Sequence, residues 1–102
     1  MTDLNQDRVY IFFNDHLVNR IFKILPLYEE ENETLGSYIE SLVLEIMGLD
    51  TILDVDDGYF ISLVATLKGI QREILEKDNK SIIKRETFKC IDLSKNIASC
   101  LK

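Results

Sequence analysis

The chain has 102 residues and a formal charge of −6, with 46% of its residues hydrophobic and 29% charged. Those values are ordinary for a globular domain, and the length suffices to bury one core without disulfide or metal staples. No apolar run is long enough for a membrane span, because Asn14, Asp15, His16, Asn19 and Arg20 interrupt the longest one. The start, MTDLNQDR, has neither the basic residues nor the small-residue cleavage site of a signal peptide, so a cytoplasmic protein is expected. Thirteen isoleucines, with eight lysines against four arginines, suggest an AT-rich genome, bacterial or phage.

The spacing predicts a first helix over residues 6–25, stopping or kinking near Pro26, which lacks a donor and crowds the preceding turn. At about 100° per residue its apolar side chains fall on two stripes. One is Tyr10, Phe13, Leu17, Ile21 and Ile24; the other is Ile11, Val18, Phe22 and Leu25. A helix resting on one neighbour needs a single stripe about 100° wide. Two stripes predict a helix lodged among several others. Arg8, Asp15, His16, Asn19 and Lys23 form the polar face, with Phe12 as an exception on it. Residues 27–33, LYEEENE, form a glutamate-rich connection.

A second helix is expected over 34–47, capped by Asn32 or Thr34 and closed by Gly48 as its C′ residue. Its apolar stripe is Leu35, Ile39, Leu42, Val43 and Ile46, with Tyr38 at the edge, while Leu44 falls on the far side among Ser37, Glu40 and Ser41. A connection follows in which Ile52, Leu53 and Val55 can tuck under the bundle and Asp56 or Asp57 can cap the next helix. That third helix, 58–77, has the cleanest 3.6-residue period of the chain: Phe60, Leu63, Leu67, Ile70 and Ile74. A short turn makes the third and fourth helices antiparallel neighbours. The fourth, 81–101, is capped by Ser81 and presents Ile82, Ile83, Cys90, Leu93, Ile97, Cys100 and Leu101. The fold class expected is all-α, a four-helix up-down bundle forming a single domain. The alternative is three helices with the first crossing them.

Two residues of the fourth helix break its pattern. Glu86 lies within the apolar face, where a carboxylate needs a partner, and Tyr10, Tyr38, Tyr59 or Arg20 could supply one. Phe88 lies on the polar side near Lys84, Arg85 and Lys95, with Ile91 one step round. An aromatic ringed by cations is a candidate contact point.

Charge is distributed unevenly. From Ile24 to Leu67 there is no lysine or arginine but ten acids, whereas from Lys68 onward nine basic residues face five acids. One reading is architectural: acids suit helix N-termini, and an acidic middle can lie beside a basic last helix. The functional reading makes the acidic middle a surface for a basic protein partner, with Glu29, Glu30, Glu31, Glu33, Glu40, Asp54 and Asp56 as candidates. The same layout argues against nucleic acid, whose phosphates call for clustered cations.

Recognisable catalytic and metal motifs are missing from the sequence. DVDDG, residues 54–58, fails as a calcium loop, since with Gly58 at the sixth position Leu53, Val55 and Val64 would fall where oxygen ligands are needed. His16 stands alone and reads as a surface residue. Cys90 and Cys100, ten residues apart on one helix, are separated by about 15 Å, beyond disulfide reach, and read as small core residues. No phosphate loop, nucleophile elbow or HExxH pattern occurs. The expectation is a non-enzymatic helical protein, without cofactor or metal, that works by binding another protein: a regulator, inhibitor or toxin-neutralising partner. Its candidate contacts are the acids above and the face of Arg85, Phe88 and Ile91. Self-association is the alternative, and a nucleic-acid module using the basic last helix is a weaker one.

Overall fold

The computed structural model of the protein describes residues 6–51, 53 and 57–101. Asp54, Asp56 and the other residues of the second connection expected to tuck under the bundle or cap the next helix, Leu53 apart, lie outside that set, as does the side chain of Asp57. Among the described residues every regular element is helical. Helix α1 (Gln6–Ile11), a π-helical turn (Phe12–His16), α2 (Leu17–Phe22) and α3 (Ile24–Glu29) follow one another and form a single rod. Three longer helices complete the bundle: α4 (Leu35–Asp50), α5 (Asp57–Glu76) and α6 (Lys80–Cys100). The rod lies along α6, α6 pairs with α5, α5 with α4, and α4 returns to the rod through α3.

The rod continues past the point where the sequence predicts its end. Pro26 cannot donate to the carbonyl four residues back, and the interruption therefore appears upstream, at Lys23, between α2 and α3. Proline then sits in the first turn of α3, where its missing donor costs little. Lys23 bridges the break, donating to the Asn19 carbonyl at 3.1 Å while its own carbonyl accepts from Leu27 at 3.2 Å.

The first stripe of the rod forms the core, since Phe13, Leu17, Ile21 and Ile24 are fully buried. The second stripe is different. Val18 and Leu25 are half-buried, but Ile11 and Phe22 remain 42% and 47% exposed. The rod touches α6, α4 and, through Phe13, α5, as its two stripes predict, yet Ile11 and Phe22 of the second stripe stay uncovered at a seam. Phe12 is half-buried and meets Phe13 edge-on, at a ring separation of 5.2 Å. Phe13 meets Phe60 of α5 edge-on at 5.7 Å, a geometry the ring quadrupoles favour.

The π-turn has a specific partner. The Leu17 N–H, which in an α-helix would reach the Phe13 carbonyl, donates to the Phe12 carbonyl instead. Phe13, fully buried, takes its hydrogen bond from α6: Ser94 Oγ donates to its carbonyl at 2.5 Å. Ser94 is itself fully buried. Thr87, another buried polar residue of α6, donates within its own helix to the Ile83 carbonyl at 2.7 Å.

The inner face of α6 consequently differs from expectation. It runs through Ile83, Thr87, Cys90, Ile91, Ser94, Ile97 and Ala98, while Cys100 is exposed and Ile82 and Leu93 are half-buried. Ile91, expected on the outer face, is 7% exposed and belongs to the core. Glu86 is not a buried carboxylate: its side chain is 26% exposed and accepts from Arg85 Nε at 3.1 Å. The register places Thr87, not Glu86, at the centre of the face. The cap of α6 is Asn79, whose Oδ1 accepts from the Ile82 N–H at 3.2 Å, rather than Ser81.

The stripes of α4 and α5 lie where expected. Leu35, Ile39, Leu42, Val43 and Ile46 are buried, as are Phe60, Leu63, Leu67 and Ile70, with Ile74 half-buried. Gly48 does not end α4, which continues to Asp50. The Thr51 hydroxyl then donates to the Gly48 carbonyl at 2.7 Å, giving that carbonyl a partner at the helix end. Before α4, Asn32 Oδ1 accepts from the Thr34 N–H at 2.8 Å and its hydroxyl at 2.6 Å, so Asn32 shapes the turn while Thr34 makes no side-chain cap.

Two stability changes follow. Ser94→Ala leaves a buried carbonyl without its donor and should lower unfolding free energy by about 1–3 kcal/mol in urea titration. An unchanged midpoint would mean that the Phe13 carbonyl finds water. Gly69 lies within α5, and a β-carbon there would meet nothing within 4 Å. Gly69→Ala should raise stability by about 0.5–1 kcal/mol in the same titration.

Candidate functional site: an aromatic groove between α2 and α6

The open second stripe of the rod creates the most distinctive surface. Phe22, near the end of α2, and Phe88, midway along α6, are 47% and 42% exposed. Their rings meet edge-on, with centroids 6.1 Å apart at an interplanar angle of 62°. They flank a groove of about 380 Å³ that also takes in Leu25, Ile83, Lys80 and Lys84. Ile83 is fully buried and supplies the floor; Lys84 is exposed on the rim. The break at Lys23 lies immediately after Phe22, so local helix geometry sets how the ring enters the groove.

One end of the groove is pinned by polar contacts. Lys80 Nζ lies 2.6 Å from Glu29 Oε1, joining the start of α6 to the end of α3. Both side chains are more than half exposed, so solvent screens this pair, and it contributes at most about 1 kcal/mol. Tyr28 Oη donates to Asp78 Oδ1 at 2.7 Å, tying α3 to the turn before α6. That bond to Asp78 pushes the Tyr28 phenol up to about 12, so it stays a donor across the ordinary pH range. Asp78 adopts φ 56°, a left-handed conformation that aspartate tolerates better than most residues.

The candidate residues separate into groups. Phe88 stands at the groove, with Arg85 exposed on the same helix. Ile91 is withdrawn into the core, and Asp54 and Asp56 lie outside the described residues. Glu29 is engaged by Lys80, and Glu45, on the outer side of α4, lies 2.7 Å from Arg20 Nη1. Some of the acidic middle therefore neutralises the protein's own cations. Glu30, Glu31, Glu33 and Glu40 are exposed. Phe22 escapes a reading by stripes because it belongs to an apolar set expected to be covered. Its signal was the excess of apolar surface on the first helix.

His16 is exposed. Among the described residues no group of three or more histidine, cysteine, aspartate or glutamate side chains could hold a metal, and no helix is long and apolar enough to cross a membrane. No protein family, curated protein or solved structure matches the chain.

The two cysteines differ in environment. Cys90 is fully buried, and burial pushes its thiol up to about 12, suppressing the reactive thiolate. Cys100 is exposed. A thiol reagent at about pH 8 should therefore label Cys100 alone in the native protein, and both cysteines after denaturation, as read by mass spectrometry of digested peptides. Rapid native labelling of Cys90 would show that α6 opens.

Proposed function

We propose that this protein is a protein-binding module and that the Phe22–Phe88 groove is its docking surface. The observation that carries the reading is the pair of exposed rings in edge contact over a buried aliphatic floor. Apolar aromatic surface left in water is unfavourable by about 25 cal/mol for each Å². Aromatic side chains in a partly desolvated pocket with a charged rim are the usual anchors of protein interfaces. Lys84 and Arg85 border the anchor, so ionic attraction can steer encounter while the rings hold the partner. Such a module acts stoichiometrically, by occupying a partner's surface, as a regulator, inhibitor or neutralising protein does.

A photo-crosslinking amino acid placed at position 88 tests this in cells. Phe88→p-benzoylphenylalanine should give a discrete protein adduct after irradiation, while the same residue at Leu75, which is 81% exposed and outside the groove, should give none. Equal adducts at both positions, or none at position 88, would contradict the docking reading.

A further inference from the structure

The π-turn puts the start of the rod out of phase with its own sequence. In a continuous α-helix Tyr10 would stand within about 20° of Leu17, and Ile11 within about 20° of both Val18 and Phe22. Phe12 would stand about 140° from Leu17, on the polar face. The π-turn over Phe12–His16 inserts one residue into a turn, so the segment before it is rotated by one residue's angle, about 100°. Ile11 takes the polar-face angle that Phe12 would have held, and is 42% exposed. Phe12 leaves that face, packs half-buried against the core and shares a depression of about 190 Å³ with Leu49 of α4. The turn thus covers Phe12 and uncovers Ile11, exchanging one large apolar side chain for another.

Both phases can satisfy the backbone. In the π phase the Leu17 N–H donates to the Phe12 carbonyl, and Ser94 supplies the donor for the Phe13 carbonyl. In an α phase the Leu17 N–H would return to the Phe13 carbonyl. Ser94 would then need another acceptor, and α6 shows where one lies. Thr87 donates to the carbonyl four residues before it, that of Ile83. The Cys90 carbonyl stands in the same relation to Ser94. Little of the core resists the change, because no side chain from Asp7 to Ile11 is buried.

We infer that residues 6–16 are a two-register switch, in which the π-turn converts to α-helix and α1 turns by about 100° about the rod axis. The α register brings Ile11 into one row with Val18, Phe22 and Leu25. The apolar wall of the Phe22–Phe88 groove then extends from Phe22 by about 16 Å along the rod. A partner that seats in the groove and reaches along this row meets more apolar surface in the α register, and shifts the population toward it. That last step rests on the docking reading above; the change of register does not.

The acceptor of the Leu17 N–H tells the registers apart. Scalar coupling through the hydrogen bond, from the Leu17 amide nitrogen to a carbonyl carbon, identifies it by nuclear magnetic resonance of the whole chain. In the wild type the coupling should be to Phe12. Phe12→Glu removes the apolar side chain that the π register covers and suits the polar face of the α register. Its coupling should move to the Phe13 carbonyl while circular dichroism stays helical, and Phe12→Gln serves if Phe12→Glu does not fold. Ile11→Glu suits the exposed place that Ile11 holds in the π register, and should keep the coupling to Phe12. A folded Phe12 variant that keeps the coupling to residue 12 would overturn the inference. So would loss of both couplings, or a coupling that moves to Phe13 in Ile11→Glu. With p-benzoylphenylalanine at position 88, adding Phe12→Glu should raise the adduct yield about twofold or more. A moved coupling with an unchanged adduct would overturn the link between switch and groove. A moved coupling with no adduct in either background would remove the docking reading and leave the switch standing.

Discussion

The hydrogen bond from Ser94 to the Phe13 carbonyl is the contact on which the arrangement of the rest depends. A π-turn shifts the backbone ladder by one residue, and the carbonyl it displaces is buried under fully covered side chains. A buried carbonyl without a donor costs about 1–3 kcal/mol, so a π-turn at this place is viable only if a neighbour supplies one. Ser94 does so from across the interface, 81 residues away in sequence. The bond therefore fixes both the position of the rod along α6 and its rotation.

That rotation has consequences at both ends of the rod. It turns Phe13 toward Phe60 and sends Leu17, Ile21 and Ile24 into the core. The same rotation leaves Phe22 at the seam, where Phe88 meets it, instead of burying it. The groove is thus a by-product of how the core is satisfied. Further contacts keep the rod from sliding. Tyr38 Oη donates to the Arg20 carbonyl at 2.8 Å, beside the ion pair of Arg20 with Glu45. That carboxylate is the main reason the Arg20 guanidinium is held above its usual range, and the pair is partly exposed, so it orients more than it stabilises.

The sequence discloses the parts of this structure that obey a period. Helices α4 and α5 carry uninterrupted aliphatic stripes, and the residues on them are the ones buried. Helix α6 is harder to read because two positions of its inner face are Thr87 and Ser94, polar residues that a search for apolar periodicity skips. With those gaps the apolar pattern traces a face turned toward Ile82, Leu93 and Cys100, with Glu86 inside it. The spacing of Ile83, Thr87, Cys90, Ser94 and Ile97 keeps a strict three-to-four-residue repeat once short hydroxyl side chains are admitted. The π-turn has no composition of its own and could not be foreseen. The effect of Pro26 was legible but displaced, since a missing donor is felt at the carbonyl upstream. At the groove, Phe88 was visible as an aromatic among cations, whereas Phe22 was concealed among residues expected to be covered.

Nuclear Overhauser contacts between the Phe22 and Phe88 rings test most directly whether Ser94 sets the seating of the rod. With edge-on rings 6.1 Å apart, the wild-type protein should show ring-to-ring cross-peaks. In Ser94→Ala those cross-peaks should fall by about half or more as the rod loses its fixed rotation, while contacts between α4 and α5 persist. Equal Phe22–Phe88 intensities in both proteins would contradict the account, for the groove would then form without the bond said to place it.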